Sequence, residues 1–148
     1  MTIESLLTRP VSTLPTTATC TEAARRMRRQ NIGSVVVEQD GAPVGIVTDR
    51  DLAMHIVAEE RDPASVTVGT IMSKFPAFLS SQRDVRAALD TMREMGVRRL
   101  PAVNAQGRLI GMLSLDDILL ELSGQFSQIK ALLSSEASHL QARDPSAD

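Results

Sequence analysis

The sequence has no tryptophan and no tyrosine, and its only aromatic residues are three phenylalanines. This scarcity argues against a protein that binds nucleic acid by stacking bases on exposed rings. The net charge of −2 provides no overall field that would attract nucleic acid or an anionic membrane. Because 43% of the residues are hydrophobic, the chain has ample material for a core, which must consist of aliphatic side chains, Met and Ala.

Cysteine is almost absent too. Cys20 is the single cysteine, so the chain has no internal disulfide framework, and this usage suits a reducing cytoplasm. Its place at the apolar face of a predicted helix start favours a buried residue over a reactive thiol. His55 and His139 have no second His or Cys at ligand spacing, so we expect no metal site. Neither a secretory signal nor a run of roughly 18 apolar residues occurs, so we expect a cytoplasmic protein with no membrane association.

The chain instead contains a repeat. The segment GIVTDRD at 45–51 returns as GMLSLDD at 111–117, at an offset of 66 residues (111 − 45 = 66). Each copy reads Gly, a short apolar run, a hydroxyl residue, two variable positions and Asp. The glycine would allow backbone or ligand to approach closely. A repeat of this length predicts two similar structural units and two related ligand sites.

The first half predicts the order strand, helix, strand, strand, helix. An irregular segment with a short strand occupies residues 1–18, and Thr19 and Glu22 then form a capping-box pattern at the start of a helix. Strands at 35–37 and 44–47 flank an Asp-Gly turn. Thr48 opens a second helix, whose inner face we expect to carry Leu52, Ile56 and Val57.

The second half repeats this order after a polar boundary at 58–66. A leading segment at 68–72 is followed by a strand at 77–79, and Ser81 stands where a helix cap belongs. Strands at 100–103 and 109–113 flank a turn at 105–107. Met27 and Met92 align with an offset of 65, one less than the glycines, which predicts one additional turn residue near Gln106.

These patterns divide the chain into a first repeat at 3–60, a second repeat at 66–122, an amphipathic helix at 123–140 and a disordered polar tail at 141–148. Two interpretations of the helix stay open: it folds back onto its own domain, or it pairs with a partner helix in a dimer. The apolar positions, at spacings of three and four, are Ile118, Leu119, Leu122, Phe126, Ile129, Leu133, Ala137 and Leu140.

We predict an α/β fold, similar to an α+β sandwich, in which two β-α-β-β-α repeats pack sheet to sheet around a pseudo-twofold axis. A repeat this short cannot bury both faces of its own small sheet, whereas two copies can. A C-terminal helical extension completes the chain. This packing leaves clefts between the repeats, into which helix N-termini point.

Each recurring segment places a hydroxyl and a carboxylate at the start of a helix. The free amides and partial positive charge there favour an anion such as phosphate, to which the Thr48 or Ser114 hydroxyl would donate. The carboxylate of Asp51 or Asp117 is suited to accept from the two hydroxyls of a ribose. The same pattern is also a plain helix cap, and the two roles are compatible.

These segments, together with NIGSVVV at 31–37 and GVRRLPAV at 96–103, resemble the CBS domain, which is named for cystathionine β-synthase. Each motif is short, but two complete copies in register are highly specific, and the resemblance covers roughly residues 3–122. It implies a stand-alone bacterial-type pair of CBS repeats, called a Bateman module, that binds adenosine-containing molecules. One departure is Val36, which stands where the family has a proline, present in the second copy as Pro101.

The resemblance implies two clefts, in each of which the hydroxyl and Asp of one repeat face the leading segment and middle strand of the other. The set that we name the first cleft comprises Thr48, Arg50, Asp51, Val68, Thr70, Lys74, Val97, Arg98 and Arg99. The second cleft comprises Ser114, Asp116, Asp117, Ile32, Gly33 and Ser34, together with the region 3–5. We prefer the first cleft, because its four cations suit a di- or triphosphate, whereas only Arg9 is expected near the second.

We therefore expect a regulatory sensor with no obligatory cofactor, whose ligand is AMP, ADP or ATP, with S-adenosylmethionine and NAD(H) as further candidates. Binding would change the conformation or the affinity for an unidentified effector protein in trans. A homodimer is expected, because modules of this family commonly pack against a second module. The alternatives are a structural dimerisation module with unoccupied sites and, from another class, a nucleotide-using enzyme.

We expect no enzyme, because the sequence contains no phosphate-binding Gly-rich loop and no set of nucleophile, base and orienting residue. The arginines at 25–29 are interpreted as a solvated helix face, since no nucleic-acid recognition motif accompanies them.

Overall fold

The structure, a computed structural model, describes residues 1–142 and the side chains of residues 1–139. The predicted disordered tail at 141–148 lies, beyond Ala142, outside the described residues. In chain order the elements are a 3-10 turn (Ile3–Leu6), β1 (Thr13–Pro15), α1 (Cys20–Gln30), β2 (Ser34–Gln39), β3 (Ala42–Thr48), α2 (Asp49–Leu52) with a π-helical turn (Ala53–Val57), α3 (Val68–Ile71), β4 (Ser73–Lys74), β5 (Leu79–Ser80), α4 (Val85–Met95), β6 (Arg99–Val103), β7 (Leu109–Ser114) and α5 (Leu115–Ala142).

The predicted α/β fold with two repeats of strand, helix, strand, strand and helix is confirmed. One sheet has the strand order β1-β2-β3-β4, and the other has the order β5-β6-β7. In each sheet the first two strands run parallel, joined across a helix, and the next pair forms an antiparallel hairpin. The two repeats therefore share one topology.

The equivalent helices α1 and α4 both begin at a side-chain cap. Thr19 Oγ1 accepts from the Glu22 amide at 3.2 Å, and Glu22 Oε2 accepts from the Thr19 amide at 3.0 Å, which completes the predicted capping box. At α4 the cap is Asp84, whose Oδ1 accepts from an amide of the first turn at 2.8 Å. The prediction of a cap at Ser81 is wrong, because the helix begins only at Val85, beyond the reach of the Ser81 side chain.

The two hairpins differ by one residue, which confirms the prediction from the change of offset. β2 and β3 pair Val37 with Gly45, a separation of eight positions (45 − 37 = 8). β6 and β7 pair Ala102 with Gly111, a separation of nine (111 − 102 = 9). The longer turn is closed by Asn104, whose side-chain oxygen accepts from the amides at 106 and 108.

Each repeat is completed by the leading segment of the other, which we name the first arm (1–12) and the second arm (66–77). The second arm adds β4 to the sheet of the first repeat, with Ser73 opposite Ile46. In the other direction, the Thr8 amide of the first arm donates to the Met112 carbonyl of β7 at 2.9 Å. The arms therefore exchange places between the two sheets and join the repeats.

The glycine of each recurring segment stands where an arm crosses the sheet. A β-carbon on Gly45 would lie 2.8 Å from the Ser73 carbonyl oxygen, and one on Gly111 would lie 2.8 Å from Leu7 Cβ. Both distances are shorter than a van der Waals contact, so a side chain at either position would displace the arm. Gly45 and Gly111 thus allow the arm to pass close to the backbone of the sheet.

The interior consists of two aliphatic clusters, one in each repeat, and each contains residues of the other repeat's arm. Val68 and Ile71 of the second arm are buried in the first cluster, and Ile3 of the first arm is buried in the second. Val57, predicted on the inner face of its helix, is 74% exposed, so that prediction is wrong. The chain widens into a π-helical turn there, which keeps Ile56 buried and rotates Val57 to the solvent.

α5 continues the last helix of the second repeat without interruption to Ala142. Ile118 is buried in the second cluster, but the helix does not fold back onto its own domain further along, because its large apolar side chains are exposed there. Among the described residues, no helix is both long enough and apolar enough to cross a membrane. The exposed side chains on α5 are Leu119, Leu120, Leu122, Phe126, Ile129, Leu132 and Leu133.

Candidate functional site

The first recurring segment closes on itself as a helix cap. Thr48 ends β3, and Asp51 lies in the first turn of α2. Asp51 Oδ2 accepts from the Thr48 amide at 2.9 Å, and Thr48 Oγ1 accepts from the Asp51 amide at 3.1 Å. Both side chains are therefore engaged by the backbone of their own helix, which is the capping role that the pattern predicts.

The second recurring segment holds its carboxylate differently. Ser114 Oγ accepts from the Asp117 amide at 3.1 Å and donates to Asp117 Oδ2 at 2.6 Å. The hydroxyl of Thr8, in the first arm, donates to the same oxygen at 3.4 Å. Asp117 thus accepts a short bond from Ser114 and a long one from Thr8, and both donors are alcohol groups like those of a ribose.

A cavity of about 450 Å³ opens between the repeats beside this carboxylate. The volume is in the range of sites that hold small molecules. Both repeats contribute to its walls, so a molecule inside would contact both. Six apolar and eight polar residues line it: Thr8, Pro10, Val11, Ser12, Gln30, Ile32, Ser34, Val36, Ile46, Arg99, Met112, Ser114, Asp116 and Asp117.

The cavity brings together most of the residues predicted for the second cleft. Gly33 lies beside it, where a β-carbon would be 3.3 Å from Asp49 Oδ2. The region 3–5 is not part of the lining, because Ile3 is turned into the second hydrophobic cluster. The predicted residues that do line the cavity are Ile32, Ser34, Ser114, Asp116 and Asp117.

The structure supplies the second cleft with a cation that the sequence did not predict there. Arg99, predicted for the first cleft, lines the cavity. Arg98 Nη2 donates to Asp116 Oδ1 at 3.0 Å and so pairs with one of the two acidic residues. Arg9 instead faces Glu4 at 3.7 Å. The expectation that Arg9 is the only cation near this cleft is therefore wrong, because the long Arg99 side chain extends beyond its own backbone position.

The remaining residues predicted for the first cleft are less concentrated. Val68 is buried in the first hydrophobic cluster, and Val97 packs against the second. Thr70 Oγ1 lies 2.9 Å from the hydroxyl of its neighbour at 67. Arg50 and Lys74 are exposed, and Lys74 lies in β4 at the edge of the sheet. Of the four predicted cations, only Arg99 lines the cavity, and the preference for the first cleft stays a prediction.

Sequence reasoning missed the part of the cavity that the first arm forms. Thr8 is equivalent to Ser73 by the offset of 65 (73 − 8 = 65), and Ser73 is the neighbour of the predicted Lys74. That equivalence was the available signal for Thr8. The sequence predicts Ile46 and Met112 only as strand positions, although they belong to the recurring segments themselves.

Outside the cavity, the described residues include no group of three or more His, Cys, Asp or Glu able to hold a metal ion. Burial raises the pKa of the Cys20 thiol, and the positive charge of Arg61 opposes this effect. Arg26 donates to Ser12 Oγ at 3.3 Å and to the Thr13 carbonyl at 3.1 Å. This arginine therefore ties the first arm to α1.

Comparison with known proteins identifies relatives over most of the chain. The CBS domain family matches residues 3–58 and 68–124. Protein MK0525 of Methanopyrus kandleri is 39% identical over 112 residues, which are 75% of this chain but only 57% of that protein. CBS domain-containing protein YhcV of Bacillus subtilis is 31% identical over 78% of this chain and 81% of its own length. The solved structure of CBS domain protein PAE2072 from Pyrobaculum aerophilum, complexed with AMP, is 31% identical, with a TM-score of 0.70 over 84% of this chain and 99% of that one.

Proposed function

The chain belongs to the CBS-domain family, and we propose that it binds an adenine nucleotide of the AMP, ADP or ATP class between its repeats. The cavity beside Asp117 carries the proposal, because a carboxylate that accepts from two hydroxyls there adjoins apolar walls. A ribose offers two adjacent hydroxyls to such a carboxylate, and the side chains of Ile32, Val36 and Ile46 suit the faces of a base. The AMP complex of PAE2072 supports the same ligand class here.

The second cleft has the stronger structural support as the binding position. It combines an open cavity, a carboxylate held by hydroxyls and the guanidinium of Arg99. In the first cleft, which the sequence favours, Asp51 is already engaged as a cap by the amide of Thr48. A ligand there would share Asp51 with this cap and donate to its other oxygen, whereas at Asp117 the ligand's hydroxyls would replace those of protein side chains.

Binding is proposed to be regulatory. A nucleotide in the second cleft would contact β2 of the first repeat and the start of α5 in the second, so it would favour the arrangement in which both contacts form. This shift would alter the affinity for a protein effector acting in trans. The lining contains no His, Cys or Lys, and therefore offers little support for a nucleotide-using enzyme.

Thermal unfolding in the presence of AMP, ADP, ATP, NADH and S-adenosylmethionine tests the proposal. A ligand at one hundred times its Kd stabilises a protein by about 2.7 kcal/mol, so the Tm should rise with ligand concentration. Asp117→Ala should reduce the rise, and Asp51→Ala, the matched change at the equivalent position, should reduce it less.

The opposite pattern would assign the ligand to the first cleft. If none of the five molecules raises the Tm of the wild-type chain at millimolar concentration, the sensor proposal fails. Turnover of ATP by the wild-type chain that is lost in Asp51→Ala would support the enzyme alternative instead.

A second candidate function is self-association through α5, and the exposed apolar stripe on this helix favours it. Leu119, Leu122, Phe126, Ile129 and Leu133 follow spacings of three and four, and each is between 37% and 71% exposed. Two apolar positions in every seven form the seam by which helices pair as coiled coils. We infer that α5 pairs with α5 of a second copy, because one such stripe is self-complementary under twofold symmetry.

Molar mass measured by light scattering during gel filtration tests this pairing. Replacing Phe126 and Ile129 together by Glu should convert the dimer to a monomer, because paired helices would then bury like charges. Gln128→Glu places one negative charge on α5 away from the stripe and should leave the mass unchanged. A wild-type monomer, or a double variant of unchanged mass, would exclude α5 as the interface.

A further inference from the structure

The cavity extends to the pseudo-twofold axis that relates the repeats. Ser34 and Arg99 are equivalent positions (99 − 34 = 65), as are Ile46 and Met112 (112 − 46 = 66). Both members of each pair line the same cavity. The axis relates one cleft to the other, so two equivalent residues far from the axis would line different clefts. Because these four side chains line one cavity, they lie close to the axis.

Arg99 has its backbone at one cleft and its guanidinium at the other. Arg99 is the first residue of β6, as Ser34 is the first residue of β2. The pseudo-twofold axis exchanges the two clefts, and Ser34 belongs to the second cleft. The backbone of residue 99 therefore belongs to the first cleft. The side chain crosses the axis, and its Nη1 donates to Ser34 Oγ at 3.4 Å. This bond is long and exposed, so little holds the guanidinium on one side.

The neighbouring charges leave Arg99 available for a phosphate. Arg98 is paired with Asp116 at 3.0 Å. Of the residues that line the described cavity, Arg99 is the only Lys or Arg. A phosphate in the second cleft would therefore depend on this one guanidinium, whereas Arg50 and Lys74, both predicted for the first cleft, are exposed side chains.

We propose that Arg99 serves the phosphate of one cleft at a time, so that occupation of the second cleft weakens the binding of a phosphorylated ligand at the first. One guanidinium cannot neutralise two phosphates, and two phosphates near the axis repel each other. This inference rests on the proposed function and deepens it: it assigns the phosphate preference, and the coupling between the two clefts, to a single side chain.

Isothermal titration calorimetry with AMP and with adenosine, which lacks the phosphate, tests the inference. The wild-type chain should bind a first AMP about 10- to 100-fold more tightly than a second, the range expected for one charged hydrogen bond. Arg99→Ser places serine at both equivalent positions, 34 and 99. It should weaken the binding of the first AMP by a similar factor and leave the affinity for adenosine unchanged. Ser34→Arg supplies a second guanidinium and should bring the two AMP affinities together.

Arg93→Ser is the matched control, because it removes the same charge from an exposed position on α4 that is paired with Asp90. It should change neither affinity. Two AMP molecules bound with equal affinity by the wild-type chain, or an equal loss of AMP and adenosine binding in Arg99→Ser, would overturn the inference and leave the proposed function intact. Failure of the wild-type chain to bind either molecule would overturn the inference, and failure to bind ADP and ATP as well would overturn the proposed function.

Discussion

The two copies of the recurring segment share a sequence pattern and differ in their hydrogen bonds. Asp51 turns back to the amide of Thr48, whereas Asp117 accepts from the hydroxyls of Ser114 and Thr8. The first carboxylate is satisfied by its own backbone, and the second by side chains that a ligand can replace. In both copies the hydroxyl residue accepts from the amide of the Asp, so the copies differ only in what the carboxylate contacts, and the arm contributed by the other repeat is part of that difference.

The arms differ most at one equivalent pair of positions. Pro10 of the first arm lines the cavity, and its equivalent in the second arm is Phe75 (75 − 10 = 65). Phe75 packs edge to face against Phe78, with 6.2 Å between the ring centroids. An aromatic ring occupies more space than a proline ring, so the equivalent position of the second arm holds a bulkier group than the one that lines the cavity.

The largest effect is expected from truncating a buried side chain in each arm, which tests whether both arms contribute equally to the free energy of unfolding. Ile3 is fully buried in the second hydrophobic cluster, and Ile71 is 7% exposed in the first. Ile3→Ala and Ile71→Ala should each lower the free energy of unfolding by about 2–5 kcal/mol, measured by urea denaturation. Val57→Ala, at a position that is 74% exposed, should change it by less than about 0.5 kcal/mol. If Ile3→Ala costs no more than Val57→Ala, the first arm does not stabilise the second repeat.

A smaller effect is expected where the arms cross the recurring glycines. Gly45→Ala and Gly111→Ala should each destabilise the chain by about 1–3 kcal/mol, because the added methyl group would lie within 2.8 Å of the crossing arm. Gly124→Ala is the control, since nothing lies within 4 Å of its β-carbon position in α5. That variant should be more stable by roughly 0.5–1 kcal/mol in thermal unfolding. A tolerated Gly111→Ala would show that the two crossings are not equivalent.

The difference between the two carboxylates predicts a still smaller effect in the ligand-free chain. Asp51→Ala removes the bond to the Thr48 amide and should cost about 1 kcal/mol of unfolding free energy, as expected for a helix cap. Asp117→Ala removes bonds to two hydroxyls, which water can replace, and should cost less. Equal losses, measured by urea denaturation of both variants without nucleotide, would mean that both carboxylates act as caps.

Features that depend on neighbouring residues were predictable from the sequence. The capping box at Thr19 and the additional turn residue near Gln106 follow from local hydrogen bonds and from the change of offset. The cap predicted at Ser81 was wrong because the helix begins a few residues later than the sequence pattern indicates. Val57 was predicted to be buried, but the wider π-helical turn changes which side chains face the core. The repeat thus predicted the topology more reliably than the ends of its elements.

The position of the Arg99 guanidinium was not predictable in the same way. Equivalence with Ser34 assigns its backbone to the first cleft, and only the packing of one repeat against the other takes its side chain into the second. A long flexible side chain near an axis of symmetry has two clefts within reach, so sequence position alone does not choose between them.

The smallest expected effect concerns the first residues of α1 and α4, Cys20 and its equivalent Val85 (85 − 20 = 65). Burial raises the pKa of the Cys20 thiol, so this thiol is protonated at pH 8 and should react with a thiol reagent only as fast as the chain unfolds. Because the folded pKa is the higher one, the thiol favours folding below the ordinary pKa, and this contribution is lost as the pH rises through the folded value.

Cys20→Val, which copies the second repeat, should remove labelling and leave the Tm nearly unchanged. Rapid labelling of the folded chain would show that this helix start is more open than its buried side chain indicates.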